Sequence, residues 1–175
     1  MNKEDIPHLR LRNLRLEGAP LAAPEDVVGW LGAVQSQDFA PAKWSLAQRA
    51  VGLGDADVDR AFADGAILRT HILRPTWHFV LPADIRWMLE LTAPRVHALN
   101  AYQYRQLDLD EEVLRRSGAL LADALRGGAH RTRKQLAAIL EGGGVDLSGS
   151  LRLGYLLMHA ELLAARSGRA ATIRP

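Results

Sequence analysis

Between Ala66 and Pro82 the apolar residues change from a helical spacing near 3.6 to a strand spacing of 2, and the change follows three helical segments. The stretches AILRTHIL and WHFVLP, parted by Arg74-Pro75-Thr76, predict two β-strands joined by a tight turn. Upstream, PEDVVGWLGAV sets Val27, Trp30, Leu31 and Val34 at i, i+3, i+4 and i+7. Pro24 suits a first-turn position there, and Glu25 and Asp26 favour the positive end of the helix dipole. A second helix from Pro41, PAKWSLAQRAV, lines Trp44, Ala47 and Val51 on one side, and a third runs through DADVDRAFADG to a stop at Gly65. Three helices followed by a hairpin predict a winged helix, in which a β-hairpin wing stands beside a helix able to enter a major groove.

The layout recurs. PADIRWMLELT, interrupted at Pro94 and resuming through RVHALNAYQYRQL, predicts a pair of connecting helices. DEEVLRRSGALLADALRGG predicts a helix with Val113, Leu114, Leu121 and Leu125 inward. TRKQLAAILEGGG opens with a capping box from Thr132 to Gln135. SGSLRLGYLLMHAELL predicts a third helix, and LLAARSGRAATI a closing hairpin with its turn at Ser167-Gly168-Arg169. The expected class is mainly α with short β-hairpins (α+β), built as tandem winged-helix units. The expected organisation is a basic N-terminal segment over 1–23, a first winged helix over 24–81, connecting helices over 82–108 and a second winged helix over 109–175. The repetition is of layout; the two halves show no fixed-offset identity.

The chain's 175 residues suffice for one ordinary domain or two small ones. With 48% hydrophobic and 24% charged residues the composition is that of a soluble globular protein, and no apolar stretch approaches the ~20 residues of a membrane helix. The opening MNKEDIPHLRLRNLRL lacks the apolar run of an export signal, so a cytoplasmic location is expected. The absence of cysteine excludes disulfides, thiolate chemistry and cysteine-ligated zinc. Net charge is only +2, yet the basic residues are 19 arginines and 3 lysines. Guanidinium groups are bidentate phosphate ligands, so this bias permits nucleic-acid binding, and a GC-rich coding genome explains it equally well.

Several basic and aromatic residues are candidate DNA contacts. In the first wing, alternation puts Arg69 and His71 on one face and Thr70 and Arg74 on the other, with His78 returning on the second strand. A hairpin with a basic tip can lie against phosphates; alternatively Ile67, Leu73, Trp77 and Phe79 bury the ribbon and the polar residues are its wet side. His78 has no companion ligands at metal spacing. Arg152, Tyr155 and His159 share roughly one helix face, which is either a groove-reading face or an edge beside a core of Leu153, Leu156 and Leu157. Arg10, Arg12 and Arg15 form an arm or a packing segment, and Tyr102 and Tyr104 can stack or pack. No nucleophile elbow, P-loop, dinucleotide fingerprint or zinc-protease motif occurs, and no cofactor or metal is expected.

The segment LGAVQSQDFAPAKW holds two neutral amides, Gln35 and Gln37, around Ser36. On a helix they would diverge; in extended chain they point the same way with Cα atoms about 6.6–7 Å apart. Pro41 disfavours helical geometry at Ala40, so the extended form is expected. Two amides facing one pocket can grip a water or a base edge, but an amide is no useful Brønsted base. A capping or solvated-loop role is the alternative.

Together, WLGAVQSQDFAPAKWSLAQR, ILRTHILRPTWHFVLPADIRW and RLGYLLMHAEL resemble the winged-helix DNA-binding family that includes the azinomycin-resistance DNA glycosylase and its bacterial relatives. The resemblance runs from Arg10 onward. It implies a monofunctional glycosylase for base-excision repair, one that releases N-alkylated purines from double-stranded DNA and can unhook crosslinks. The family motif is glutamine, a small or apolar residue, then glutamine or aspartate, and Gln35 and Gln37 match it with Ser36 between them. By resemblance Gln37 would hold the attacking water and Gln35 would support it or the damaged nucleotide. Asp38 can add negative charge near a cationic transition state, or cap the helix that follows it. Relatives run on through a third winged helix and a further C-terminal region, so a C-terminally truncated member is expected. The alternative function is a DNA-binding module or transcriptional regulator without catalysis.

Overall fold

The computed structural model describes residues 5–164, which form eight α-helices and one small three-stranded antiparallel sheet, as the expected α+β class requires. These residues divide into two compact units. One holds the described residues up to Leu68 together with Trp77–Asp84; the other holds Arg69–Thr76 and the described residues from Ile85 onward.

In the first unit, α1 (Asp5–Asn13) buries no residue. It is followed by α2 (Pro24–Leu31), β1 (Val34–Gln35), α3 (Phe39–Ala47), α4 (Asp55–Ala63), β2 (Leu68–His71), which has only its first residue in this unit, and, after the excursion of Arg69–Thr76 into the other unit, β3 (Trp77–Val80); the strand order is β1-β3-β2. Val27, Val28, Leu46, Val58, Ile67 and Phe79 are fully buried in its core. α2 starts where expected, the Asp26 carboxylate accepting from the Ala23 amide at 3.1 Å. It stops at Leu31 rather than running on to Val34, because Gly32 adopts a left-handed φ of 76° that ends the helical path. Val34 is thereby released to begin β1.

The inward faces of α2 and α3 differ from those expected. Trp30, Trp44 and Val51 are exposed by 51%, 65% and 68%. α3 begins at Phe39, whose ring meets Phe62 and Phe79 edge-on at centroid distances of 5.7 Å. That anchor makes Phe39, Ala42, Lys43 and Leu46 the buried stripe, at i, i+3, i+4 and i+7, and turns Trp44 outward. Lys43 can sit in this stripe because its Nζ donates to Asp55 at 2.6 Å and to Asp59 at 3.0 Å, both on α4. On α2, Trp30 donates to the Asn13 carbonyl at 2.8 Å and lies 3.7 Å beneath the Arg15 guanidinium, which fastens the N-terminal segment by cation–π contact.

In the second unit α5 (Ile85–Gln106) is one continuous helix, so Pro94 does not interrupt it. Met88, Leu89, Thr92 and Ala93 before the proline and Val96 and Asn100 after it bury one face, and this packing outweighs the lost backbone bond. α6 (Glu111–Ala124), a 3₁₀ turn at Arg126–Gly128, α7 (Arg133–Gly142) and α8 (Arg152–Ala164) follow. Their core holds Leu121, Leu136, Leu140, Leu156 and Leu157. The Asp110 carboxylate caps α6 by accepting from the Val113 amide at 2.8 Å. The Thr132–Gln135 capping box is formed, with bonds of 2.8 and 3.3 Å. α8 is helical to Ala164, so Leu162–Ala164 do not open a hairpin; its expected turn, Ser167-Gly168-Arg169, lies outside the described residues. Among the described residues no helix is long and apolar enough to cross a membrane.

Candidate active site

Gln35 lies on β1 and Gln37 in the bend that follows it. The reason expected from Pro41 does not hold, because α3 already starts at Phe39 and Ala40 is helical; pairing with β3 is what keeps the glutamine segment out of a helix. Val34 pairs with Phe79 and Gln35 with His78 across the antiparallel β1–β3 ladder. The pairing continues beyond β1: the Ser36 amide donates to the Trp77 carbonyl at 2.8 Å, and the Gln37 side chain takes the next acceptor place, its Oε1 receiving the Trp77 amide at 3.1 Å. Burial alternates accordingly, with Ser36 fully buried and Gln35 and Gln37 exposed on either side. Both amides thus leave the strand on its solvent side.

The two glutamines, Asp38, Pro41, Ala42 and Ser45 line one open cleft of about 240 Å³. Pro41 and Ser45 are one helical turn apart on α3, and Phe39 fixes the start of that helix against Phe79 on β3, so the two walls are tied to one core. Asp38 occupies the N-cap place of α3, where its carbonyl accepts from the Ala42 amide at 3.1 Å, but its side chain makes no capping bond. Its exposed carboxylate therefore adds negative charge to the cleft rather than being spent on the helix end. Gln37 is oriented by the bond its Oε1 accepts from the Trp77 amide.

The remaining candidates fall elsewhere. His78, opposite Gln35, is only 4% exposed, behind the strand's polar edge. Arg74 is exposed at the hairpin tip, and Arg69 is half-buried, its guanidinium pKa lowered by burial against an opposing pull from Glu161. On α8, half-buried Arg152 donates to the carbonyls of Asp146, at 2.8 Å, and Leu107. Tyr155 meets Tyr104 edge-on at 6.1 Å, and His159 meets His97 at 5.1 Å. Burial and the neighbouring His97 push the His159 pKa down to about 4.

His71, read from alternation as the wet side of a wing, is instead 5% exposed. Its Nδ1 lies 2.8 Å from Glu161 Oε2, which also accepts from the His71 amide at 3.2 Å and the Thr70 hydroxyl at 3.3 Å. Glu161 is 1% exposed, and an acid inside the apolar HAELLA run was the one available sign of such a clasp. Pro41 and Ser45 escaped notice as cleft residues because their spacing of four carries no chemical signature. Among the described residues no group of three or more histidine or acidic side chains could hold a metal.

A search of the curated proteins finds no match. Among solved structures, the Streptomyces sahachiroi DNA glycosylase AlkZ is similar, with a TM-score of 0.63 and 25% sequence identity over 89% of this chain and 43% of that one. The chain therefore spans less than half the length of that relative. The sequence model of the AlkZ-like DNA glycosylases matches residues 28–174, from α2 onward and including both glutamines. A match over that much of the molecule means that the chain belongs to the AlkZ-like DNA glycosylase family.

Proposed function

We propose that the chain hydrolyses the N-glycosidic bond of alkylated purines in double-stranded DNA, with Gln35 and Gln37 as the catalytic pair. The carrying observation is the exposed pair of amides, held on one strand edge over a cleft that also receives the uncapped Asp38 carboxylate. A purine alkylated at a ring nitrogen is already a cation. Breaking its bond to the sugar leaves the electron pair on the base, which departs neutral, and makes the sugar carbon electron-poor. A water oriented by Gln37 Oε1 and steadied by Gln35 then bonds to that carbon and releases its proton to solvent. Such a reaction needs placement of the water and charge stabilisation more than a strong base, which suits amides with a nearby carboxylate. Asp38 supplies the charge.

In the same proposal exposed Arg74 meets phosphate, with Arg69, Arg152 and Tyr155 as further DNA contacts and His78 supporting Gln35 from behind. DNA as partner implies a cytoplasmic location beside the chromosome. The test is release of free base from duplex DNA containing N7-methylguanine, with Gln37→Ala alongside. Release by the wild type that is lost in a variant still binding duplex supports the proposal. Binding without release in both would leave a DNA-binding module.

A further inference from the structure

α3 presents its largest apolar group to solvent. The indole of Trp44 is 65% exposed, while Trp30 is covered by Arg15 and bonded to Asn13, and Trp77 is half-buried in β3. The buried stripe of α3 is complete without Trp44, because Phe39, Ala42, Lys43 and Leu46 already fill it. Packing therefore does not explain the residue. Its place on the helix is informative: Pro41 precedes it by three residues, Ser45 follows it directly, and both line the cleft that holds Gln35, Gln37 and Asp38. Helical side chains lean toward the N-terminus of their helix, over the preceding turn, which sets residue 44 over the turn that carries Pro41, next to two lining residues of the cleft though not itself one of them.

We propose that Trp44 is the stacking platform for the nucleobase presented to the glutamine pair. The proposal rests on the glycosylase reading above and deepens it. An enzyme that acts on a base in a duplex must take it out of the stack, which removes its aromatic neighbours. An exposed indole beside the cleft replaces one of them. The same geometry selects among bases: an indole face attracts a cation, and the Asp38 carboxylate sits on the same cleft, so a positively charged alkylated purine gains from both while a neutral purine gains only the stacking. Amides, carboxylate and aromatic face then have separate tasks: holding water, stabilising charge and gripping the ring.

The test compares wild type, Trp44→Leu and Trp44→Phe for binding to a duplex with one N7-methyl-2′-fluoro-2′-deoxyguanosine, whose fluorine protects the glycosidic bond, and to the undamaged duplex. Wild type is expected to prefer the lesion, and its indole fluorescence to fall on binding. Trp44→Leu is expected to lose about 5- to 150-fold of that preference, with undamaged binding and melting temperature unchanged, and to lose the fluorescence change. Trp44→Phe recovers most of the preference, because a smaller aromatic still stacks. Unchanged preference in Trp44→Leu, while wild type releases base and Gln37→Ala does not, overturns the stacking role and leaves the glycosylase reading standing. A wild type that neither prefers the lesion nor releases base overturns both. A dimer that dissociates in Trp44→Leu, with lesion preference intact, assigns the indole to self-association and overturns the proposal.

Discussion

Replacement of Glu161 should be the most damaging single polar substitution in the second unit. Glu161 Oε2 is the shared acceptor for the His71 amide, the His71 ring and the Thr70 hydroxyl, at 3.2, 2.8 and 3.3 Å, and all three residues are at most 5% exposed. In Glu161→Leu the volume is nearly kept but these donors lose that acceptor. A buried polar group left unsatisfied costs about 1–3 kcal/mol. With several donors losing one acceptor we expect a loss of about 3 kcal/mol, which for a chain of this size lowers the melting temperature by roughly 6–12 °C, at about 2–4 °C per kcal/mol. Urea denaturation followed by far-ultraviolet circular dichroism measures it as a drop in midpoint at constant slope. The double variant Glu161→Leu with His71→Leu should lose less than the two single losses added together, with a coupling of about 1–3 kcal/mol, because the ring and its acceptor are removed together. A single variant within about 0.5 kcal/mol of wild type, or strict additivity, would refute the clasp as a source of stability.

Two further outcomes follow from the same unit. Folded His159 stays neutral down to about pH 4, whereas in the unfolded chain it takes up a proton near its ordinary value of 6.5. The unfolded state thus binds more protons in that window, so stability present above pH 6.5 is lost as pH falls toward 4. His159→Phe should flatten that part of a plot of melting temperature against pH, and an unchanged slope would contradict the burial argument. Thr132→Ala removes one arm of the α7 capping box and should cost about 1 kcal/mol, seen as a melting temperature about 2–4 °C lower; no change would mean that solvent caps the helix equally well.

Much of this fold was legible because local chemistry and tertiary packing agree. The alternation in AILRTHIL and WHFVLP, the Thr132–Gln135 box and the glycine at Gly65 each encode their structure within a few residues. Pro41 was no such guide: Ala40 before it is helical, and the glutamine segment stays out of a helix because it pairs with β3. Where long-range packing decides, the sequence was a poorer guide. Trp44 resembled a core residue by spacing, but the ring contacts of Phe39 rotate α3 and turn it out. Pro94 resembled a helix stop, but the buried face of α5 continues across it. The clasp between His71 and Glu161 joins residues 90 positions apart, a separation that no local pattern encodes. The site was readable as two amides; the cleft that makes them a site needs α3 folded back beside β1.

The central claim is that Gln35 and Gln37 act on one water, and single-turnover release of N7-methylguanine by wild type, Gln35→Ala, Gln37→Ala and the double variant tests it most directly. If both amides hold the same molecule, each single loss should slow release by about 10²-fold or more, and the double variant should be little slower than the worse single one. Rates whose reductions multiply in the double variant, or a Gln37→Ala rate within about threefold of wild type, a difference below about 0.7 kcal/mol in the barrier, would contradict the account.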